Sequence, residues 1–192
     1  MYKIKFILIL IKLCISSPIE DWIDRQLIIL EKNPLKIEFD VGVQNNFETY
    51  TTPVELNILN FNVFQINFPN RKIYYSKKWS KVLDKKTNQV IIDYPDSVLI
   101  NNIYSIIIDK KYKRDIECVN ASEINCSINI PELNFEFEVT LEIGSNSIKH
   151  IFYSFYNTNS FISNIRFSSN LDADEAFWDP PFKNKFIIDL RK

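Results

Sequence analysis

Phe135-Glu136-Phe137-Glu138-Val139-Thr140-Leu141-Glu142-Ile143 alternates without a fault. Successive side chains of an extended chain point to opposite sides, so the apolar members share one face and the polar members the other. Such a segment is a strand with one dry face and one wet face. The same period recurs in both directions. Upstream, Leu35, Ile37, Phe39, Val41 and Val43 alternate with Lys36, Glu38, Asp40 and Gly42. Val54, Leu56 and Ile58 begin another strand, whose alternation slips at Ile58-Leu59 and at Val63-Phe64. Each slip predicts a bulge or a break, because one extra residue reverses the facing of all that follow. Ile66 and Phe68 run into Pro69, and 72–77, 79–83 and 88–93 read as strands. Further strands are expected at 103–109, 112–119 and 126–130. Gly144-Ser145-Asn146 turns the chain after Ile143, 148–156 returns, and 161–167 follows.

Helical signals are few. Ser17 can cap a helix, Pro18 suits its first position, and Glu20 stands where a capping-box acid reaches back. Ile19, Trp22, Ile23, Leu27 and Leu30 then fall on one helical face, and Asn33-Pro34 ends it. Asp96 can cap a short helix at 97–104 that turns Val98, Leu99 and Ile100 inward, and 171–176 reads as a helical turn. The fold class is mainly β with a few helices (α+β), with about eight to eleven strands at ordinary strand lengths. Connections are short enough for antiparallel neighbours. A curled sheet with one apolar face must cover it. Either the sheet closes as a barrel, or it half closes and the helices form a lid over an apolar cavity.

Length and composition narrow the function. A chain of 192 residues fits one domain with an ample core. Its net charge of −1 is spread without a basic block, which argues against a nucleic-acid partner. Gly42 and Gly144 are the only glycines, so no glycine-rich loop can cradle phosphate, and Asn and Lys must do the turn work. At the N-terminus, Lys3 and Lys5 precede an apolar run at 6–11 that continues after Lys12, and small Ser16 and Ser17 follow. This reads as an export signal over 1–16, with a buried strand as the alternative. Cys14 follows Lys12-Leu13, a poor context for lipid attachment. Cys118 and Cys126 flank a polar stretch that looks like a hairpin tip. In an oxidising compartment a disulfide would staple it; half a metal site is the rival.

Enzymatic readings lack parts. His150 is the single histidine and lies in a strand-like run, so an ordinary strand side chain explains it better than a general base. No G-x-S-x-G elbow is present, and Asp172, Asp174 and Glu175 read as solvated acids at a helix start. Asn120-Ala121-Ser122 and Asn125-Cys126-Ser127 match glycosylation sequons, which chance supplies readily in an Asn-rich chain. No catalytic residue, metal or cofactor is expected.

The C-terminal stretch is the most particular. Phe177 and Trp178 are apolar anchors, Pro180-Pro181 fixes a rigid corner, and Phe186-Ile187-Ile188-Asp189-Leu190 closes as a short strand before Arg191. This pattern resembles the C-terminus of LolA, the periplasmic lipoprotein carrier family of Gram-negative bacteria, although Lys183-Asn184-Lys185 stands where that family usually has Gly-Val. The rest of the chain follows the family's order. Asn67-Phe68-Pro69, the strand through Tyr75, the turn Asp84-Lys85-Lys86-Thr87, Asn88-Gln89-Val90 and Tyr94-Pro95 correspond loosely to its mid-chain landmarks. Two departures stand out: Lys85 replaces the turn glycine, and Phe68 replaces an arginine thought to latch the family's lid.

The resemblance implies an unclosed half-barrel over 17–192, with a lid helix above an apolar cavity. It implies a periplasmic, monomeric chaperone that carries lipoprotein acyl chains from the inner to the outer membrane. Its partners would be lipoproteins, an inner-membrane lipoprotein-releasing transporter and an outer-membrane acceptor. The aromatic residues Phe39, Phe64, Tyr74, Trp79, Phe135, Phe137 and Phe155 would line the cavity, and Val98, Leu99 and Ile100 would form the lid. The alternatives are a related half-barrel lipoprotein acceptor or sensor, and a secreted β-domain that binds a protein partner through a sheet edge.

Overall fold

The computed structural model describes residues 18–44, 48–60, 62–95, 115–120, 122–133, 135–142, 147–155, 158–169 and 174–191. Helix α1 spans Pro18–Lys32. Six strands follow: β1 Leu35–Gln44, β2 Thr49–Asn60, β3 Val63–Asn67, β4 Arg71–Ser76, β5 Ser80–Asp84 and β6 Gln89–Asp93. After 96–114 come β7 Asp115–Asn120, β8 Ile124–Ile130, a 3₁₀ turn at Pro131–Leu133, β9 Phe135–Leu141, β10 Ile148–Phe155 and β11 Thr158–Ser168. The one-turn helix α2, Glu175–Trp178, and strand β12, Phe186–Asp189, complete the chain. The expected export signal at 1–16, the strand at 103–109, and Val98, Leu99 and Ile100 lie outside the described residues.

All twelve strands form one sheet in the order β12-β6-β5-β4-β3-β2-β1-β11-β10-β9-β8-β7. The two ends do not pair, so the sheet curls without closing. This is the half-barrel rather than the barrel. Ten neighbouring pairs are antiparallel, but β12 runs parallel to β6. That one pair departs from the otherwise antiparallel order. The reason is the proline corner, which carries the chain across the sheet and delivers it to the far edge in the direction of β6.

Strand β1 joins the halves, pairing with β2 on one side and β11 on the other. Three register shifts interrupt the ladders, at Glu38/Asp40 opposite β11, at Ile148/His150 and at Ile58/Asn60. The last falls at Ile58-Leu59, one of the slips in the sequence. Bulges of this kind add local twist, which helps a wide sheet to curl.

Helix α1 carries Glu20 and Asp21 in its first turn and Lys32 in its last, charges that suit its dipole. It ends where the Asn33 amide donates to the Ile29 carbonyl at 3.0 Å, just before Pro34. Its apolar stripe lies on the sheet. Ile19 is buried among Cys126, Ile128, Val139, Leu141 and Ile148, and Trp22 meets the edge of Phe167 at 5.3 Å. Each of these aliphatic side chains gains about 1.5–3 kcal/mol from burial. Cys118 and Cys126 are register partners on β7 and β8, and their sulfurs are bonded beneath this cluster.

On the opposite face, Phe161 lies against Gly42. A Cβ built on Gly42 would overlap the far end of the Phe161 ring, at Cζ, Cε1 and Cε2. Gly42 is therefore required for close approach, and Gly42→Ala should lower stability by about 1–3 kcal/mol, the usual cost of overpacking. Chemical denaturation measures this. Phe161→Ala should absorb the extra methyl, so the double variant should show no further loss from the alanine. An unchanged midpoint for Gly42→Ala alone would mean that the ring does not rest there.

Candidate acyl-binding face

Register, more than residue type, defines the two surfaces of the sheet. On the side of α1, one rung runs through eight strands. Phe167 stands opposite Ile37, Ile37 opposite Leu56, Leu56 opposite Ile66 and Ile66 opposite Ile73. Ile73 then faces Val82, Val82 faces Ile91, and Ile91 pairs with Ile188. Every member is apolar. None is fully buried, and Ile91 is 38% exposed. Val43 and Tyr50, a register pair on the same side, are 38% and 59% exposed. Helix α1 buries the β8–β10 region of this face. From β1 to β12 the same face is apolar: Leu35, Val54 and Tyr75 are buried in it, and the rung itself is half-buried to exposed.

The seven expected lining residues do not all share this surface. Phe39 stands opposite Val54 on the helix side, Phe64 stacks on Tyr75 there at 4.6 Å, and Phe137 packs against the cluster under α1. Phe135 pairs with Ile130 and Phe155 with Thr158. Tyr74 and Trp79 sit on the other face. Tyr74 meets the edge of Phe182 at 5.3 Å, and both belong to a core with Val90 and Ile92 beneath the proline corner. The physical reason is parity: Tyr74 and Tyr75 are neighbours, so only one can face α1, and Tyr75 does. Trp79 precedes β5 in a turn and lies under Lys81. The aliphatic rung was the part that aromatic content concealed; its signal is the alternation Leu56, Ile66, Ile73, Val82 and Ile91.

No family model matches the sequence, and no curated protein matches it. Solved structures do. An uncharacterized conserved protein from Thermus thermophilus superposes with a TM-score of 0.55 at 9% identity, over 88% of this chain and 98% of that one. The fold is shared. Similar structures also include a LolA superfamily protein from Nitrosomonas europaea, with a TM-score of 0.41 and 7% identity over 78% of this chain and 96% of that one. An outer membrane lipoprotein-sorting protein domain from Vibrio parahaemolyticus gives a TM-score of 0.38 and 8% identity over 81% and 94%.

The far face of the sheet is built differently. Its corresponding rung reads Arg166, Glu38, Glu55, Asn67, Lys72, Leu83 and Val90. The charged part borders an open groove of about 560 Å³ lined by Glu38, Glu55, Lys85 and Arg166. The apolar part is covered by the C-terminal corner. Trp178 and Phe182 are buried there, and Gln65 donates to the Phe177 carbonyl. Lys81 pairs with Asp179 and lies 4.0 Å over the Trp79 ring; Lys72 lies 5.0 Å from both the Tyr74 and Phe177 rings. Burial lowers the Lys72 pKa and raises that of Tyr74. Among the described residues no group of three His, Cys, Asp or Glu could hold a metal ion.

The groove carries a pH dependence. Burial opposes ionisation of Glu55, but hydrogen bonds from Asn57 at 2.8 Å and Lys36, with the charge of Lys36, outweigh it and hold the carboxyl below its ordinary range. A carboxyl whose pKa is lower in the folded chain adds stability that is complete above its unfolded pKa and lost as pH falls through the folded one. Stability should therefore fall on acidification through the carboxylate range. Glu55→Gln should lose less between neutral pH and acid, as read by denaturant midpoints at each pH. Identical acid limbs would contradict the pairing.

Proposed function

We propose that this protein is a periplasmic carrier that shelters lipoprotein acyl chains on the helix-side face of its sheet. The observation that supports it most is the uninterrupted apolar rung from Phe167 to Ile188, half-buried on eight strands. Core side chains of a closed domain would be buried. A wide apolar surface left partly open needs a partner that is itself apolar. An acyl chain fits, because each methylene removed from water contributes about 0.8 kcal/mol and no covalent chemistry is needed. The resemblance of the C-terminal stretch to lipoprotein carriers points the same way. No helix among the described residues is long and apolar enough to cross a membrane.

Release needs a state that prefers the empty face by a comparable amount. Phe68, in the place of the family's latch arginine, cannot supply that step by charge. Its amide donates to the Arg71 carbonyl at 2.9 Å, and its carbonyl accepts from Lys85 Nζ at 2.6 Å. The position serves the β3–β4 turn. Transfer between an inner-membrane transporter and an outer-membrane acceptor would then depend on the surfaces of those partners.

Exported from a Gram-negative host and examined by native mass spectrometry, the protein should carry lipid or acylated protein that leaves only on denaturation. Ile91→Glu, at an exposed position of the rung, should abolish this cargo while the fold persists by circular dichroism. Lipid-free protein that also ignores added acyl-lipopeptide would overturn the proposal.

A further inference from the structure

One rung on the face away from α1 departs from the polar character around it. Ser127 stands opposite Glu138, Glu138 opposite Phe152, Phe152 opposite Phe161, and Phe161 opposite Gly42. A single exposed aromatic residue needs no explanation. This one belongs to a built arrangement. The Phe161 ring lies on Gly42, where the backbone has no Cβ, and Phe152 continues it at 6.1 Å with the planes 39° apart. Phe152 is 43% exposed. Glu138, beside it on the next strand, is exposed, and no described cation pairs with it. Phe152 and Glu138 line an open groove of about 690 Å³, together with Glu136, Gln44 and Asn129.

Phe152 and Glu138 are register partners on adjacent strands, so an exposed ring and a carboxylate line the same groove. The face of an aromatic ring attracts a cation, and a carboxylate next to it adds charge. The groove supplies acceptors, and the carboxylates of Glu136 and Glu138 give it a net negative character. We propose that this platform binds an arginine or lysine side chain presented by a partner polypeptide. Charge complementarity selects the occupant: a neutral partner would leave Glu138 and Glu136 desolvated without compensation. The platform lies on the opposite face from the apolar rung, so cargo and partner can be held at once. It does not rest on the acyl-carrier reading.

The test is titration of the purified full chain with a capped Gly-Arg-Gly-Arg-Gly peptide at low salt, followed by amide chemical shifts. Saturable shifts centred on Gly42, Glu138 and Phe152 are expected. Phe152→Ala and the isosteric Glu138→Gln should each weaken binding at least about tenfold, as should replacing arginine with citrulline, which keeps the shape and removes the charge. Added salt should weaken it further. Wild-type affinity in both variants, shifts centred elsewhere, equal binding of the citrulline peptide, or equal binding of a neutral oligosaccharide would each overturn the proposal.

Discussion

The two faces of the sheet must stay distinct along every strand, and one-residue errors would exchange them. Strand β1 sets the standard, since it alternates without interruption against β2 from Leu35 to Gln44. Its other neighbour does not alternate evenly: Ile162, Ile165 and Phe167 all belong on the helix side although Ile162 and Ile165 are three apart. The register shift between Glu38 and Asp40 absorbs the odd residue. Asn164 takes φ 54° there and donates to Asp40 Oδ2 at 2.7 Å. The shift between Ile148 and His150 does the same for Ile148 and Ile151, with Lys149 displaced toward Glu123. The bulges thus preserve an apolar face that simple alternation would have broken.

A chain with two glycines needs other residues wherever the backbone turns left-handed. Asparagine supplies three such positions, with φ 59° at Asn88, 54° at Asn164 and 63° at Asn184. The turn after β5 shows how this works. Asp84 accepts from the amides of Lys86 and Thr87 at 2.8 and 2.9 Å, and Asn88 takes the positive φ, so Lys85 is spared the conformation. Phe182 is the exception. A bulky residue at φ 47° is strained, and packing against Tyr74 holds it where Pro180-Pro181 delivers the chain.

Much of this was legible in the sequence because period-two alternation is a local signal. The strand at Phe135, the helix from Pro18, the slip at Ile58-Leu59 and the closing strand were all readable. The described residues form twelve strands, one more than the upper expectation; β2 starts earlier than expected, at Thr49, and passes through Pro53. The parallel pairing of β12 depends on where the corner lands, which no local pattern encodes. Tyr74 and Trp79 fall on the other face for a related reason. Parity in Lys72-Ile73-Tyr74-Tyr75 is ambiguous until β3 fixes the register.

The proposed acyl surface is the helix-side rung, and the face under the C-terminal corner is a structural core. The most direct measurement is the set of intermolecular nuclear Overhauser effects between methyl-labelled protein and an unlabelled acyl-lipopeptide. Contacts to the methyls of Ile66, Ile73, Val82 and Ile91 are predicted, with none to Leu83, Val90 or Ile92. Contacts to the second group, or to neither, would contradict it.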